Sequence, residues 1–291
     1  IDRVDIAFPA FHGMNGEDGT VQGIFELMDI PYVGPGVLGS AVGMDKIVMK
    51  DVCKANNLPI VEYIWFYRSK WLDNREEVLR AIEGKLTYPM FIKPANLGSS
   101  IGISKAKDRD ELIEAIEVAI RYDRKVIVEQ AIEEAREINC AILGYDDELV
   151  TSLCEEPIGW KEILTFEDKY INSSAKVKGT SERRRIPAEI DDDLRLEIEE
   201  LAKQAFKVID ARGVSRVDFL VDKSNKVYIN EINTIPGSMA FYLWEGKGYS
   251  FKKLIDELIN IAIKVHEEKK RNSYSYEANL LNRTQYGAKI K

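Results

Sequence analysis

Two carboxylates, an amide and a guanidinium stand at alternate positions of two neighbouring apolar segments. Residues 214–221 and 227–233 both alternate, and Asp222-Lys223-Ser224-Asn225-Lys226 joins them, so the pair reads as a β-hairpin. With the turn centred between Ser224 and Asn225, Asp218 faces Glu231 and Arg216 faces Asn233. The two-residue period of a strand sets all four side chains on one face. Carboxylates placed directly opposite repel each other. A divalent cation between them removes the conflict, and carboxylates with an amide oxygen form a hard donor set suited to Mg²⁺. The alternative is a solvated polar face with its charges splayed into water, which leaves Arg216 in the same row unexplained.

A second set of residues could handle phosphate. Lys93 closes the apolar run Pro89-Met90-Phe91-Ile92. A lysine in a core strand needs an anionic partner, since burying a bare ammonium is costly; the alternative is a strand-end lysine reaching solvent. Directly after it comes Pro94-Ala95-Asn96-Leu97-Gly98-Ser99-Ser100-Ile101-Gly102. Amides and two hydroxyls on such a loop can close over polyphosphate, although most glycine-rich loops are plain turns. No GxxxxGK[ST] motif occurs, so any ATP site is of another type. Phosphoryl transfer needs cations and metal ions along the phosphates. Lys46, Lys93, Lys169 and Arg216 supply cations, and Asp218, Glu231 and Asn233 supply metal ligands. Their spread over separate segments calls for an interdomain cleft.

Strand and helix signals alternate along the chain, which indicates a mixed α/β protein. A strand is already under way at residues 4–8, behind a first residue that is Ile1 and not Met, so the chain is expected to lack its natural start. Helices are expected over residues 18–29, from a cap at Asp45 to about residue 56, from a cap at Asp108, over 191–209 ending near Gly213, and over 251–268. Strands are expected at 88–92, 125–129 and 137–143. The polar stretch 155–186 reads as a long loop of the kind that closes over active sites. Units are expected at residues 1–44, 45–124 and 125–268, with a polar tail at 269–291.

Composition removes several function classes. A formal charge of −8 argues against a nucleic-acid groove, leaving Arg183-Arg184-Arg185 as a solvated or phosphate-proximal patch. No apolar run approaches the roughly 20 residues that span a bilayer. Two histidines, His12 and His266, make a histidine-based zinc site improbable. Cys53, Cys140 and Cys154, without CxxC spacing, read as reduced core thiols in a cytoplasmic protein.

Together the motifs resemble those of the D-alanine–D-alanine ligase family. They are Phe11-His12-Gly13, Asn15-Gly16-Glu17-Asp18-Gly19-Thr20, Met44-Asp45-Lys46, Ile92-Lys93-Pro94 with Gly98-Ser99-Ser100-Ile101-Gly102, Val128-Glu129, Arg136-Glu137, Lys169-Tyr170, Arg216-Val217-Asp218, and Asn230-Glu231-Ile232-Asn233-Thr234-Ile235-Pro236-Gly237. They stand in the family's order from Ile6 to about Ile263. The resemblance implies an α+β ATP-grasp fold of three subdomains, with ATP between the central and C-terminal ones. It implies a ligase that phosphorylates one D-alanine and joins it to a second for peptidoglycan precursors. By the same resemblance Lys46 and Lys93 contact phosphates, Glu129, Ile132 and Glu137 line the adenine and ribose pocket, and Ser99 and Ser100 cover the phosphates. Lys169 and Tyr170 belong to the closing loop, and Asp218, Glu231 and Asn233 hold two Mg²⁺, replaceable by Mn²⁺. Arg216 and the Gly237 amide face the oxyanion. His12 and Glu17 shape the first amino-acid site, although His12 also reads as an ordinary turn histidine. The partners implied are ATP and D-amino acids, and a homodimer.

Two departures bear on substrate. The family's upstream strand–loop–helix, which carries an acidic residue for the first D-alanine's ammonium, precedes nothing here. The run Ser238-Met239-Ala240-Phe241-Tyr242-Leu243-Trp244 reads as shorter and more aromatic than the family's acceptor segment. A related ligase with another second substrate, and a nucleotide-binding module without catalysis, are the competing readings.

Overall fold

The computed structural model describes residues 4–98, 101–158 and 184–273. Its architecture is α+β, with two antiparallel sheets. Helices α1 (Thr20–Leu27), α2 (Val37–Met44) and α3 (Lys46–Ala55) come first. Strand β1 (Tyr63–Tyr67), helices α4 (Arg68–Asp73) and α5 (Arg75–Glu83), strands β2 (Met90–Pro94) and β3 (Ser104–Ala106), helix α6 (Arg109–Tyr122) and strand β4 (Lys125–Gln130) follow. These strands form one sheet in the order β1-β4-β2-β3. Strands β5 (Arg136–Tyr145), β6 (Glu148–Pro157), β7 (Arg184–Arg185), β8 (Gly213–Val221) and β9 (Val227–Asn233) form the other, in the order β7-β6-β5-β8-β9. Helices α7 (Asp192–Val208) and α8 (Phe251–Lys270) cover it.

Several sequence expectations change. Lys125–Gln130, expected to open the next sheet, pairs with β1 and β2 in the middle of the first one; its alternate faces are both apolar, as a central strand requires. The expected loop 155–186 is strand at its described ends, since β6 continues to Pro157 and pairs with Arg184–Arg185. Glu155, Glu156 and the arginines form ion pairs there, so polar composition concealed a strand. Residues 4–8 contribute one parallel bridge, Ala7 to Tyr32, in place of a strand. Helix α7 closes on Asp210, not Gly213. The Asp210 amide donates to Lys207 and the Ala211 amide to Phe206, with Asp210 at φ 57°, which is a Schellman closure.

The central strands divide their two faces between packing and chemistry. Ile138, Cys140 and Ile142 of β5, with Val217, Phe219 and Val221 of β8, point into a core shared with α3 and α7. On the opposite face Ala141, Leu143 and Val214 pack with Leu254 and Leu258 of α8 and with Met239 and Leu243. Further along that same face stand Glu137, Asn139, Arg216 and Asp218. One alternation therefore gives a sealed face and a face that is apolar at one end and polar at the other. All three cysteines are buried and free. Among the described residues no helix is long and apolar enough to cross a membrane.

Helix α3 ties the two sheets together. Asp45 caps it, accepting from the amides of Ile47 at 3.1 Å and Val48 at 3.2 Å, and also pairs with Lys125 of β4. Below α3, the Ile229 amide donates to Pro59 at 2.8 Å and joins β9 to the chain leading into β1. Losing a cap costs about 1 kcal/mol, and the half-freed ammonium of Lys125 adds about as much again. Asp45→Ala should therefore lower unfolding free energy by about 2 kcal/mol in urea titration, with Asp45→Asn losing less because it keeps the cap.

Candidate active site

The polar end of the second sheet carries a straight row of side chains. Register pairs Glu155 with Asn139, Asn139 with Asp218, and Asp218 with Glu231, so four strands place one polar residue each on the same line. Arg216 pairs with Asn233 beside it, as the hairpin reading expected. The reason differs from the one expected. Near the turn Val221 pairs with Val227 and Phe219 with Ile229, one residue out of step with a turn centred between Ser224 and Asn225. A bulge at Asn230 restores the step before Glu231. Ile229 and Ile232, three apart, thus both reach the same core.

Within the row Asp218 is buried, and its carboxylate receives two hydrogen bonds from Arg216, from Nε at 2.6 Å and Nη2 at 2.7 Å. Asn233 Nδ2 donates to Asp218 at 2.9 Å, which turns the Asn233 carbonyl oxygen outward as an acceptor. Burial raises the Asp218 carboxyl to about 6; Arg216 opposes the shift and the Glu231 carboxylate adds to it. Glu137, on the same face of β5, is pushed up to about 7 by burial and then by Asp218 and Glu231. Glu231 goes the other way: despite burial, Lys46, Lys93 and Arg216 hold it below the usual carboxylate range. Crowded carboxylates with an amide oxygen beside them are the donor set a divalent cation fits, and its charge would relieve the two raised acids.

Across from this row lie the cations. Lys46, the first residue of α3, is buried, donates to the Leu97 carbonyl at 2.6 Å and lies 4.0 Å from Glu231. Lys93 of β2 has the anionic partner its burial demanded. It donates to Glu129 of β4 at 2.6 Å and to the Asn230 side chain at 3.1 Å. Glu129 also meets Lys50 of α3 at 3.2 Å. Burial alone would push the Glu129 carboxyl up, but Lys50 and Lys93 outweigh it and bring it to about 2. The carboxylate is 2% exposed, so its charge is committed to those lysines.

Glu17 lies on the other side of the row. It accepts from the Gly13 amide at 2.6 Å and the Ile235 amide at 3.3 Å, tying the segment before α1 to the end of β9. Burial raises its carboxyl; the Gly13 amide and nearby His12 reduce the shift. His12 is exposed, and Ile132 is half-buried just past β4. Gly237 is exposed, with open space where a Cβ would stand, and opens a turn in which Ser238, Met239 and Ala240 all have φ near 50°. That left-handed run is strained for side-chain-bearing residues. It is held by buried Met239, Ala240, Leu243 and Trp244 and by Tyr242, whose hydroxyl donates to Glu155 at 3.1 Å under the Arg184 guanidinium. Ser99, Ser100, Lys169 and Tyr170 lie outside the described residues.

Sequence reasoning missed four members of this cluster. Asn139 reads as a plain polar residue of the 137–143 strand, and Glu155 as the start of the 155–186 loop, because β6 is not evident in the sequence. Asn230 was hidden by the bulge that aims it at Lys93. Lys50 carried a signal, since it follows Lys46 by four residues on one helix face.

Comparison with known proteins agrees with these motifs. The family model described as D-ala D-ala ligase C-terminus matches residues 52–260, and that described as D-ala D-ala ligase N-terminus matches residues 1–35. A D-alanine–D-alanine ligase of Bacillus cytotoxicus is 46% identical over 278 residues, covering 94% of this chain and 74% of the relative. One from Acetivibrio thermocellus is 46% identical over 271 residues, covering 91% and 70%. Among solved structures, the D-alanine-D-alanine ligase of Coxiella burnetii superposes with a TM-score of 0.77 at 34% identity, over 92% of this chain and 70% of that one. The VanG D-Ala:D-Ser ligase of Enterococcus faecalis gives 0.78 at 38%, over 90% and 74%. With its two antiparallel sheets, its ordered motifs and these matches, the chain belongs to the D-alanine–D-alanine ligase family of ATP-grasp enzymes.

Proposed function

We propose that the chain is an ATP-dependent ligase that joins two D-alanines through an acyl phosphate, for peptidoglycan precursors. The observation that carries this reading is the Asp218–Glu231 pair beside Arg216, facing Lys46 and Lys93 across the gap between the sheets. Family membership supplies the substrate.

In this reading the carboxylate of the first D-alanine attacks the γ-phosphorus of ATP and ADP leaves. The amine of the second then attacks the acyl phosphate, and phosphate departs from a tetrahedral intermediate. Lys46 and Lys93 hold the phosphates, and the family resemblance adds Ser99, Ser100, Lys169 and Tyr170 to the groups that serve them. Glu129, Ile132 and Glu137 line the nucleotide pocket. Glu17, with His12, shapes the first amino-acid site. Arg216 spends two N–H groups on Asp218 and keeps others for the oxyanion, which the Gly237 amide also faces. Asp218, Glu231 and Asn233 would hold two Mg²⁺ or Mn²⁺, whose charge neutralises the transferring phosphoryl group when bound. The enzyme works on small molecules and as a homodimer, in the cytoplasm; a three-part division belongs to the same reading, with its first boundary at residue 44 and its second after β4, not at residue 124.

A second reading changes only the acceptor. Tyr242, Glu155 and Arg184 give the 237–243 turn a polar backing, and one Glu155 oxygen is buried without a hydrogen-bond partner. One structural neighbour is a D-Ala:D-Ser ligase. The two are separated by phosphate release across an amino-acid panel with mass identification of the product. D-alanine alone should stimulate release and yield the dipeptide of mass D-Ala–D-Ala; stimulation only when another amino acid is added sinks the two-alanine reading.

The raised carboxyls give a pH signature. Between the ordinary carboxylate range, ~4, and about 7, the folded protein binds a proton at Glu137 that the unfolded chain releases. Metal-free stability should therefore fall with rising pH relative to Glu137→Gln. Urea midpoints at pH 5 and 7.5 in EDTA check this: the wild type should lose ground to the variant at the higher pH. Saturating Mg²⁺ should narrow the gap.

A further inference from the structure

Lys50 is wholly buried, 0% exposed, yet it is a charged side chain inside the proposed nucleotide site. Its ammonium lies 3.2 Å from Glu129 Oε1 and donates to the Asn230 carbonyl at 3.3 Å. Lys93 takes the same two residues by their other atoms, Glu129 Oε2 at 2.6 Å and Asn230 Oδ1 at 3.1 Å. One carboxylate and one bulged asparagine thus hold two lysines at once. The bulge makes this geometry, because it turns the carbonyl of Asn230 toward α3 and its side chain toward β2.

The two lysines differ in access. Lys93 keeps a small exposed surface toward the gap, whereas Lys50 has none and cannot touch a ligand. Without Lys50, Lys93 and Glu129 would form a neutral pair in a poorly screened interior, and Glu129 would retain Lys93. With Lys50 present the three groups carry one net positive charge. When Lys93 turns to a phosphate, Glu129 remains paired.

We propose that Lys50 is a positioning residue for ATP: it neutralises Glu129 so that Lys93 is free to serve the phosphates, and Asn230 holds both lysines in register. The inference rests on the reading of Lys93 as a phosphate ligand. It gives Lys50 an effect on phosphate recognition and none on recognition of the nucleoside.

Equilibrium binding of ATP and of adenosine, with Mg²⁺ and without amino acid, tests it. Lys50→Met should weaken ATP by about tenfold and adenosine by less than about twofold. Lys50→Met/Glu129→Gln, which removes the surplus carboxylate as well, should return the ratio of ATP to adenosine affinity toward that of wild type. Equal weakening of both ligands, no weakening of either, or a double variant no more selective than the single one overturns the proposal. If thermal unfolding shows that Lys50→Met does not fold, the double variant decides: an ATP-to-adenosine ratio within about threefold of wild type supports the proposal, and a tenfold loss overturns it. Should wild type itself bind ATP no more tightly than adenosine, the phosphate reading of Lys93 fails first.

Discussion

Asp218, buried, and Glu231, partly exposed, face each other directly across two strands, and like charges in that position need compensating cations or hydrogen-bond donors. The structure meets the need from three directions. Arg216 clamps Asp218 from its own strand, Lys46 approaches Glu231 from α3, and Asn233 donates to Asp218 from β9. What remains is a carboxyl pair with one member raised and one lowered, suited to a divalent cation and to the phosphates that accompany it. The alternation of β5 and β8 serves this pair. Their sealed face provides the core, and their other face is apolar only where α8 and the 237–243 turn cover it.

The second constraint is that Lys93 and the Asp218–Glu231 pair come from different sheets. Helix α3 resolves it by contributing Lys46 to the gap and Lys50 to the buried layer behind it, while its cap, Asp45, reaches β4. The bulge at Asn230 completes the arrangement. It costs one unpaired residue in the ladder, and in return both ends of that residue hold lysines of the facing elements. A chain without the bulge would put Glu231 and Asn233 on the core face and Ile232 in the gap.

Much of this was legible in the sequence, for reasons that can be named. The alternation in 214–233 gave the correct pairing of Arg216, Asp218, Glu231 and Asn233, because the bulge and the turn shift by one residue each and cancel. Lys93 declared itself by ending an apolar run, and its partner was then required to be anionic; that the partner is Glu129 depends on sheet order, which the local pattern does not encode. The placement of β4 inside the first sheet was missed for the same reason. Strand β6 escaped because its end carries Glu155 and Glu156, whose arginine partners lie far along the chain. The order of motifs, more than any one of them, pointed to the family.

The proposed chemistry depends on the opposed carboxylates acting as a metal site. The most direct measurement is the number of Mn²⁺ ions bound per chain with a non-hydrolysable ATP analogue, read by electron paramagnetic resonance, in wild type and in Glu231→Gln. Two are expected in the wild type, and at least one fewer in the variant at the same free Mn²⁺. An unchanged count in Glu231→Gln, with nucleotide still bound, would contradict it.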